Sequence, residues 1–127
     1  GETALHEACD EGHLDVLDYL LKAGARIHIK DQEGEDALHE CVEEALKKGR
    51  WTLLDRLLQE PRLDLNSQDG QGRTVLMMLA QAGPAPYVER ILRLGAAVGI
   101  FDRNGRTALD HASDPAVQEL LRRSGAR

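Results

Sequence analysis

A segment of about eight residues recurs four times along this chain, and each copy opens on a glycine. The copies begin at Gly1, Gly34, Gly72 and Gly105, so they are 33, 38 and 33 residues apart. Periods of roughly 20–50 residues are typical of repeat proteins, in which each copy is one small structural unit that cannot bury its apolar face alone. The repeat therefore predicts a stack of similar units that share a continuous core.

Every copy predicts a helix that begins at a capping residue. Thr3, Thr74 and Thr107 each stand directly before an apolar stripe, and Asp36 takes that place in the second copy. A hydroxyl or carboxylate oxygen at this position can accept hydrogen bonds from the free N–H groups of the first helical turn.

A second helix follows in each copy. In the first copy, the helical spacing of Leu17, Leu20 and Leu21 predicts the buried stripe of this second helix. Gly24 and Gly95 follow the first and third of these helices and can supply the left-handed conformation that ends a helix. Polar turn segments at 31–34 and 102–105 then predict hairpin loops before the next copy.

This arrangement resembles the ankyrin-repeat family. The run Thr-Ala-Leu-His-Glu-Ala at 3–8, with Gly12-His13 and Gly24-Ala25 after it, is similar to that family's T-P-L-H-x-A motif and period of about 33 residues. Alanine or valine replaces the motif's proline in all four copies. The resemblance implies an all-α ankyrin-repeat solenoid of helix-turn-helix units joined by hairpin loops. It also implies a slightly curved stack whose concave side carries the hairpin tips and first helices.

The spacing divides the chain into repeats of unequal regularity. We expect one ankyrin-repeat domain over 1–127, taken from a longer protein, with repeats at approximately 1–33, 34–71, 72–104 and 105–127. The second repeat holds five extra residues, and four of them, near 43–48, predict an additional helical turn. The short last repeat has a polar end that is typical of a capping repeat.

The charges are distributed unevenly along the chain. Residues 1–60 hold 15 acidic and 7 basic side chains, whereas residues 61–127 hold 7 acidic and 9 basic ones. An acidic surface repels phosphate backbones, so the sequence predicts no nucleic-acid binding. A partner protein with a basic segment is favoured at the N-terminal half, although the acidic residues could equally serve only to solvate helices.

The histidines and cysteines allow a metal-site hypothesis. His6 lies near Cys9, and His39 lies near Cys41. Since zinc needs about four converging ligands, we expect no metal site. The resemblance implies instead that these histidines make hydrogen bonds between repeats. The cysteines are expected to be buried free thiols in a reducing intracellular compartment, either cytoplasmic or nuclear.

The sequence offers no signature of an enzyme or of a membrane protein. His6-Glu7 and His39-Glu40 lack the second histidine of a zinc-protease helix. The glycines at 70 and 72 lack the Lys-Ser/Thr sequence of a phosphate-binding loop. No apolar run approaches the ~20 residues of a membrane span. We therefore expect neither catalysis nor a cofactor nor a membrane contact.

Variable positions of the repeat are the candidate partner contacts. They lie at the hairpin tips and at the expected exposed ends of the first helices, with one aromatic residue entering the last hairpin. The set comprises Asp10, Glu11, Gln32, Glu33, Glu35, Glu43, Glu44, Gln71, Arg73, Gln81, Phe101, Arg103, Asn104 and Arg106. Trp51, Met77 and Met78 are interpreted as packing residues, with an exposed interaction role as the alternative.

Three functional hypotheses follow. The first is a non-catalytic, monomeric protein–protein interaction module that presents a rigid concave surface with an acidic N-terminal half. The second is a structural spacer, or an autoinhibitory cover for a neighbouring catalytic or channel domain in a larger chain. The third is a binder of a phosphorylated small ligand, held by the arginines of the later hairpins.

Overall fold

The computed structural model describes residues 3–126, and all regular secondary structure in that range is helical. This confirms the predicted all-α class. The elements are α1 (Ala4–Glu11), α2 (Leu14–Lys22), α3 (Ala37–Lys48), α4 (Trp51–Leu57), α5 (Val75–Ala82), α6 (Ala85–Arg93), α7 (Ala108–His111) and α8 (Pro115–Arg123). Gly1, Glu2 and Arg127, which the predicted first and last repeats include, lie outside the described residues.

The predicted capping residues begin four of these helices. Thr3, Asp36, Thr74 and Thr107 have extended backbones, and each side chain accepts a hydrogen bond from the backbone N–H three residues later, at 3.0–3.4 Å. The first helix of every repeat therefore starts where the sequence places it.

Three connecting loops share one construction, each built around an aspartate. One carboxylate oxygen of Asp31, Asp69 or Asp102 accepts the backbone N–H groups two and four residues later, at 2.9–3.0 Å. The aspartate N–H donates to the carbonyl four residues on, at 2.8–2.9 Å. These bonds close the predicted hairpin loops between successive repeats. Gly24 and Gly95, with φ of 82° and 100°, end the preceding helices as predicted.

The chain divides into two compact units, unit 1 at Gly1–Asp64 and unit 2 at Leu65–Arg127. In unit 1, α1 packs on α3 and α2 packs on α4, while each repeat's own two helices also pack together. Unit 2 repeats this arrangement, with α5 on α7 and α6 on α8. That these units form one domain stays a prediction.

Each unit has an aliphatic core that lies between its paired helices. In unit 1, Leu17, Leu54 and Leu57 are fully buried, and in unit 2 Val88 and Ile91 are. The additional turn of the second repeat is confirmed, because α3 has 12 residues whereas α1 and α5 have 8. Among the described helices, none combines the length and apolar character needed to cross a bilayer.

The prediction of free thiols is wrong. Cys9 in α1 and Cys41 in α3 form a disulfide, with their Cα atoms 5.1 Å apart. Their separation of 32 residues is one less than the repeat period. Packing of α1 on α3 therefore brings the two side chains to bonding distance. The cysteines consequently give no support to a reducing compartment.

Candidate functional site

The histidine of the first repeat fixes the backbone around the candidate site. His6 is buried, and its Nδ1 accepts a hydrogen bond from the Thr3 N–H at 3.2 Å. Its Nε2 is therefore the protonated nitrogen, and it donates to the Glu35 carbonyl at 2.8 Å. This bond joins the first repeat to the loop before α3, as the resemblance implies. His39 is also fully buried, with Nδ1 2.9 Å from Asp36 Oδ1.

Five carboxylates of unit 1 form one continuous cluster, which we call the acidic face. It consists of Asp10 of α1, Glu35 of the loop before α3, and Glu40, Glu43 and Glu44 of α3. Carboxylate oxygens of Asp10, Glu40 and Glu44 lie within 4.8 Å of one another, as do those of Glu35, Glu40 and Glu43. Glu40 thus belongs to both groups and connects them.

Two carboxyls of the acidic face bind protons unusually tightly. Burial, followed by a hydrogen bond to Glu43 and by neighbouring negative charges, raises the pKa of Glu35 to about 9. Burial and then the charges of Glu43 and Asp10 raise the pKa of Glu40 to about 7. Glu35 is therefore neutral at pH 7, and its carboxyl O–H can donate a hydrogen bond to Glu43.

The exposed placement predicted for Glu35 and Glu44 is wrong. Glu35 is 4% exposed and Glu44 is 6% exposed. The Glu35 backbone is tied to His6 and to the Asp31 turn, and its side chain is hydrogen-bonded to Glu43. Glu44 lies in the added turn of α3 with Lys48 Nζ 3.1 Å and Arg50 Nη1 3.6 Å from its Oε2. Carboxylates are the ligands that hard metal ions prefer. At Glu44, however, Lys48 and Arg50 already balance the negative charge.

The remaining candidate residues of unit 1 are accessible. Asp10, Glu11, Gln32 and Glu33 are exposed, and Glu43 is half-buried. The Glu33 N–H is held by the Asp31 carboxylate at 2.9 Å, so the tip of this hairpin has a defined backbone. Unit 1 therefore carries exposed acidic side chains in addition to the acidic face.

The candidate residues of unit 2 form a surface of opposite charge. Arg103, Asn104 and Arg106 are exposed, and within the described range no ion pair involves either arginine. Phe101, in the same hairpin, is 62% exposed. We call Phe101, Arg103 and Arg106 the last hairpin.

Contacts to the preceding hairpin hold the last hairpin in place. The Arg103 N–H donates to the Gln71 carbonyl at 3.0 Å, and Gln68 Nε2 donates to the Phe101 carbonyl at 3.1 Å.

Of the other candidate residues of unit 2, Gln71 and Gln81 are exposed. Arg73 is less available, because its Nε donates to Asp69 Oδ2 at 3.1 Å.

Two features of the site escaped the sequence reasoning. Glu40 is absent from the predicted contacts because it occupies a regular motif position, although four glutamates within ten residues at 35–44 indicate crowded carboxyls. The bridge between Cys9 and Cys41 does not follow from the repeat pattern, because the two cysteines stand at different positions of their repeats.

The packing interpretation is confirmed for Met77 and Met78, which are buried. Trp51 begins α4 and is half-buried.

Comparison with protein families and solved structures identifies the same pattern over most of the chain. The family model described as "Ankyrin repeat" matches residues 1–32, and the model described as "Ankyrin repeats (many copies)" matches residues 57–112. The crystal structure of the ankyrin repeat domain of Bcl-3, a member of the IkappaB protein family, is 29% identical. It superposes with a TM-score of 0.85 over 96% of this chain and 52% of that one.

Curated relatives are much longer than this chain. A palmitoyltransferase of Lachancea kluyveri is 32% identical over 120 residues, which is 94% of this chain and 16% of that protein. The transient receptor potential cation channel subfamily A member 1 of Homo sapiens is 38% identical over 116 residues, which is 89% of this chain and 10% of that protein. The chain thus spans about a sixth or less of these relatives.

Proposed function

Because this chain belongs to the ankyrin-repeat family, whose repeats generally mediate protein–protein interactions, we propose that it binds a partner protein carrying a basic segment. The acidic face and the exposed acidic residues of unit 1 would receive that segment. The proposed role is binding without catalysis.

The clustering of carboxylates is the observation that carries this proposal. Carboxylate oxygens on α1 and α3 lie within 4.8 Å of one another, which concentrates negative potential in one place. Burial is the main cause of the raised pKa of Glu40, and a lysine or arginine side chain placed there would relieve the mutual repulsion that adds to it. Complementary charge of this kind increases association rates and selects partners.

The backbone order of both surfaces favours their use in binding. The hairpin tips are closed by aspartate turns, and the first helices are capped. A preordered surface loses little conformational entropy on binding. In unit 2, Phe101 and the two free arginines of the last hairpin would contact an acidic and apolar part of the same partner.

Affinity capture from cell lysate tests this proposal. The native chain is compared with a variant that neutralises three exposed acidic side chains of unit 1, carrying Asp10→Asn, Glu11→Gln and Glu33→Gln. Glu35 and Glu44 are left unchanged because they are buried. We expect a protein with a basic segment to be retained by the native chain and to be lost or strongly depleted with the variant.

A charge-matched control separates the effect of these three side chains from that of total charge. It carries Asp15→Asn, Glu89→Gln and Glu119→Gln, which remove three charges elsewhere, two of them in exposed i,i+4 ion pairs that contribute little to stability. This control should retain the partner as the native chain does. Equal loss in both variants would mean that net charge alone governs capture, and it would contradict the proposed site.

A second candidate function is suggested by the relatives. One is a palmitoyltransferase and another is a cation channel, and the chain matches only 16% and 10% of them. In a longer parent protein the repeats could therefore act as a spacer or an autoinhibitory cover for a neighbouring domain. Deleting the repeats from the parent would raise its activity under the cover hypothesis, and would leave it unchanged under the partner-binding one.

Small-ligand binding is a distinct hypothesis that rests on the free arginines of the last hairpin. A thermal-shift titration with nucleotides and inositol phosphates tests it. A rise in melting temperature that Arg103→Gln and Arg106→Gln abolish would favour a phosphorylated ligand. No rise would leave the protein partner as the proposal. A monomeric state and an intracellular location, cytoplasmic or nuclear, remain parts of the proposed function.

A further inference from the structure

The disulfide lies beside the acidic face. Cys9 immediately precedes Asp10 in α1, and Cys41 immediately follows Glu40 in α3. The bridge and the cluster therefore join the same pair of helices at the same level. Both sulfur-bearing side chains are almost completely buried, with Cys9 0% and Cys41 1% exposed.

Electrostatic repulsion opposes the packing of α1 on α3 at this level. Oxygens of Asp10 on α1 and of Glu40 and Glu44 on α3 lie within 4.8 Å. Lys48 and Arg50 offset the charge of Glu44, so the repulsion acts mainly between Asp10 and Glu40, and it is strongest where water is partly excluded. A covalent link one residue away holds the carboxylates together despite this repulsion. Without the link, only noncovalent contacts oppose this repulsion, among them the hydrogen bond from His6 Nε2 to the Glu35 carbonyl, and α1 moves away from α3 more readily.

We propose that the Cys9–Cys41 disulfide is a redox-controlled clamp that sets the spacing of α1 and α3 and so keeps the acidic face assembled. As a means of regulating partner binding, the clamp rests on the function proposed above. Its effect on α1 and on Glu40 does not depend on any partner.

The switching step is thiol–disulfide exchange with a dithiol or with glutathione. A dithiol such as dithiothreitol breaks the protein S–S bond, closes to its own cyclic disulfide, and leaves its two protons on the Cys9 and Cys41 thiols. In the opposite direction, oxidised glutathione takes two electrons and two protons from these thiols, so the bridge forms and two glutathione thiols are released. Because the sulfurs are buried, exchange requires local opening of α1 and is slow.

Hydrogen exchange of the whole chain tests the clamp. The protein is equilibrated with oxidised glutathione or with dithiothreitol, and the amides of α1 and α5 are followed. Reduction should speed α1 exchange by about a hundredfold, since the bridge closes a loop of more than thirty residues. The α5 amides are the internal control, because unit 2 contains no cysteine, and they should not change.

Titration of the Glu40 carboxyl by NMR provides the second readout. Asp10 contributes to the raised pKa of Glu40, so reduction should lower the titration midpoint. A Cys9→Ala/Cys41→Ala variant should match the reduced protein under both conditions. Both thiols found alkylatable after oxidation, or equal α1 exchange in the two states, would overturn the clamp. Failure of partner capture would instead count against the function and leave these readouts intact.

Discussion

Glu35 illustrates how the fold changes the chemistry of a single residue. The sequence counts it as one of the negative charges of the N-terminal half, but the folded chain buries it against Glu43 and keeps it protonated at pH 7. The acidic face is consequently less negative than its composition suggests. Its charge is carried mainly by the accessible carboxylates.

The protonation of Glu35 makes stability dependent on pH. Its pKa rises from an ordinary value of 4.5 to about 9 on folding, so the folded state holds the proton more tightly. The contribution is fully present below pH 4.5 and is lost as the pH rises through about 9. Glu35→Gln keeps a hydrogen-bond donor toward Glu43 and removes the titration.

We therefore expect the Glu35→Gln chain to melt at a higher temperature than the native chain at pH 8.5, with the difference shrinking toward pH 5. Melting curves across this range provide the measurement. Glu33→Gln, an exposed change in the same hairpin, is the control and should follow the native chain. An unchanged pH slope in Glu35→Gln would show that Glu35 ionises normally in the folded protein.

Gly72 is required for the close approach of two hairpins in unit 2. Its φ is +78°, and a Cβ at this position would lie 2.9 Å from the backbone nitrogen of Arg103. Gly72→Ala should lower the free energy of unfolding by about 1–3 kcal/mol, because both the left-handed conformation and the contact are unfavourable. Urea denaturation measures the change.

Gly105→Ala is the matched control for this prediction. Gly105 has a similar φ of +75°, but a Cβ there would meet nothing within 4 Å. It should therefore incur only the conformational penalty, on the order of 1 kcal/mol. Equal losses in the two variants would contradict a special role for the Gly72–Arg103 approach.

At the scale of elements, the helix starts and hairpins were predictable because their causes are local. A threonine before an apolar stripe caps the helix that follows it, and an aspartate followed three residues later by glycine closes the turn. The added turn of α3 was likewise predictable from the spacing of the glycines. Burial of Glu35 and Glu44, and the Cys9–Cys41 bridge, depend on neighbouring repeats and could not be read from local pattern.

The cap of α5 offers a direct test of these local causes. Thr74 is buried, and its Oγ1 accepts the Met77 N–H at 3.3 Å. Thr74→Ala should reduce the free energy of unfolding by about 1 kcal/mol. Thr52→Ala, at an exposed position within α4, should be neutral or slightly stabilising because alanine is the better helix former. Chemical denaturation of both variants checks this, and equal effects would contradict the capping role.

At the scale of the whole molecule, the uneven charge distribution is the property most relevant to function. The repeat pattern indicated an interaction module and an acidic first half, but it could not show which carboxylates are accessible. The fold leaves Asp10, Glu11 and Glu33 exposed in unit 1 and Arg103 and Arg106 exposed in unit 2. These five side chains are the strongest candidates for electrostatic recognition.

The most direct test of the central claim is the association rate of the captured partner at increasing ionic strength. For the native chain, the rate should fall by about tenfold or more between low and high salt, since screening weakens attraction between exposed charges. For the Asp10→Asn, Glu11→Gln, Glu33→Gln variant, it should be slower at low salt and much less sensitive to salt. A native rate that does not change with ionic strength would contradict electrostatic recognition by the exposed acidic residues of unit 1.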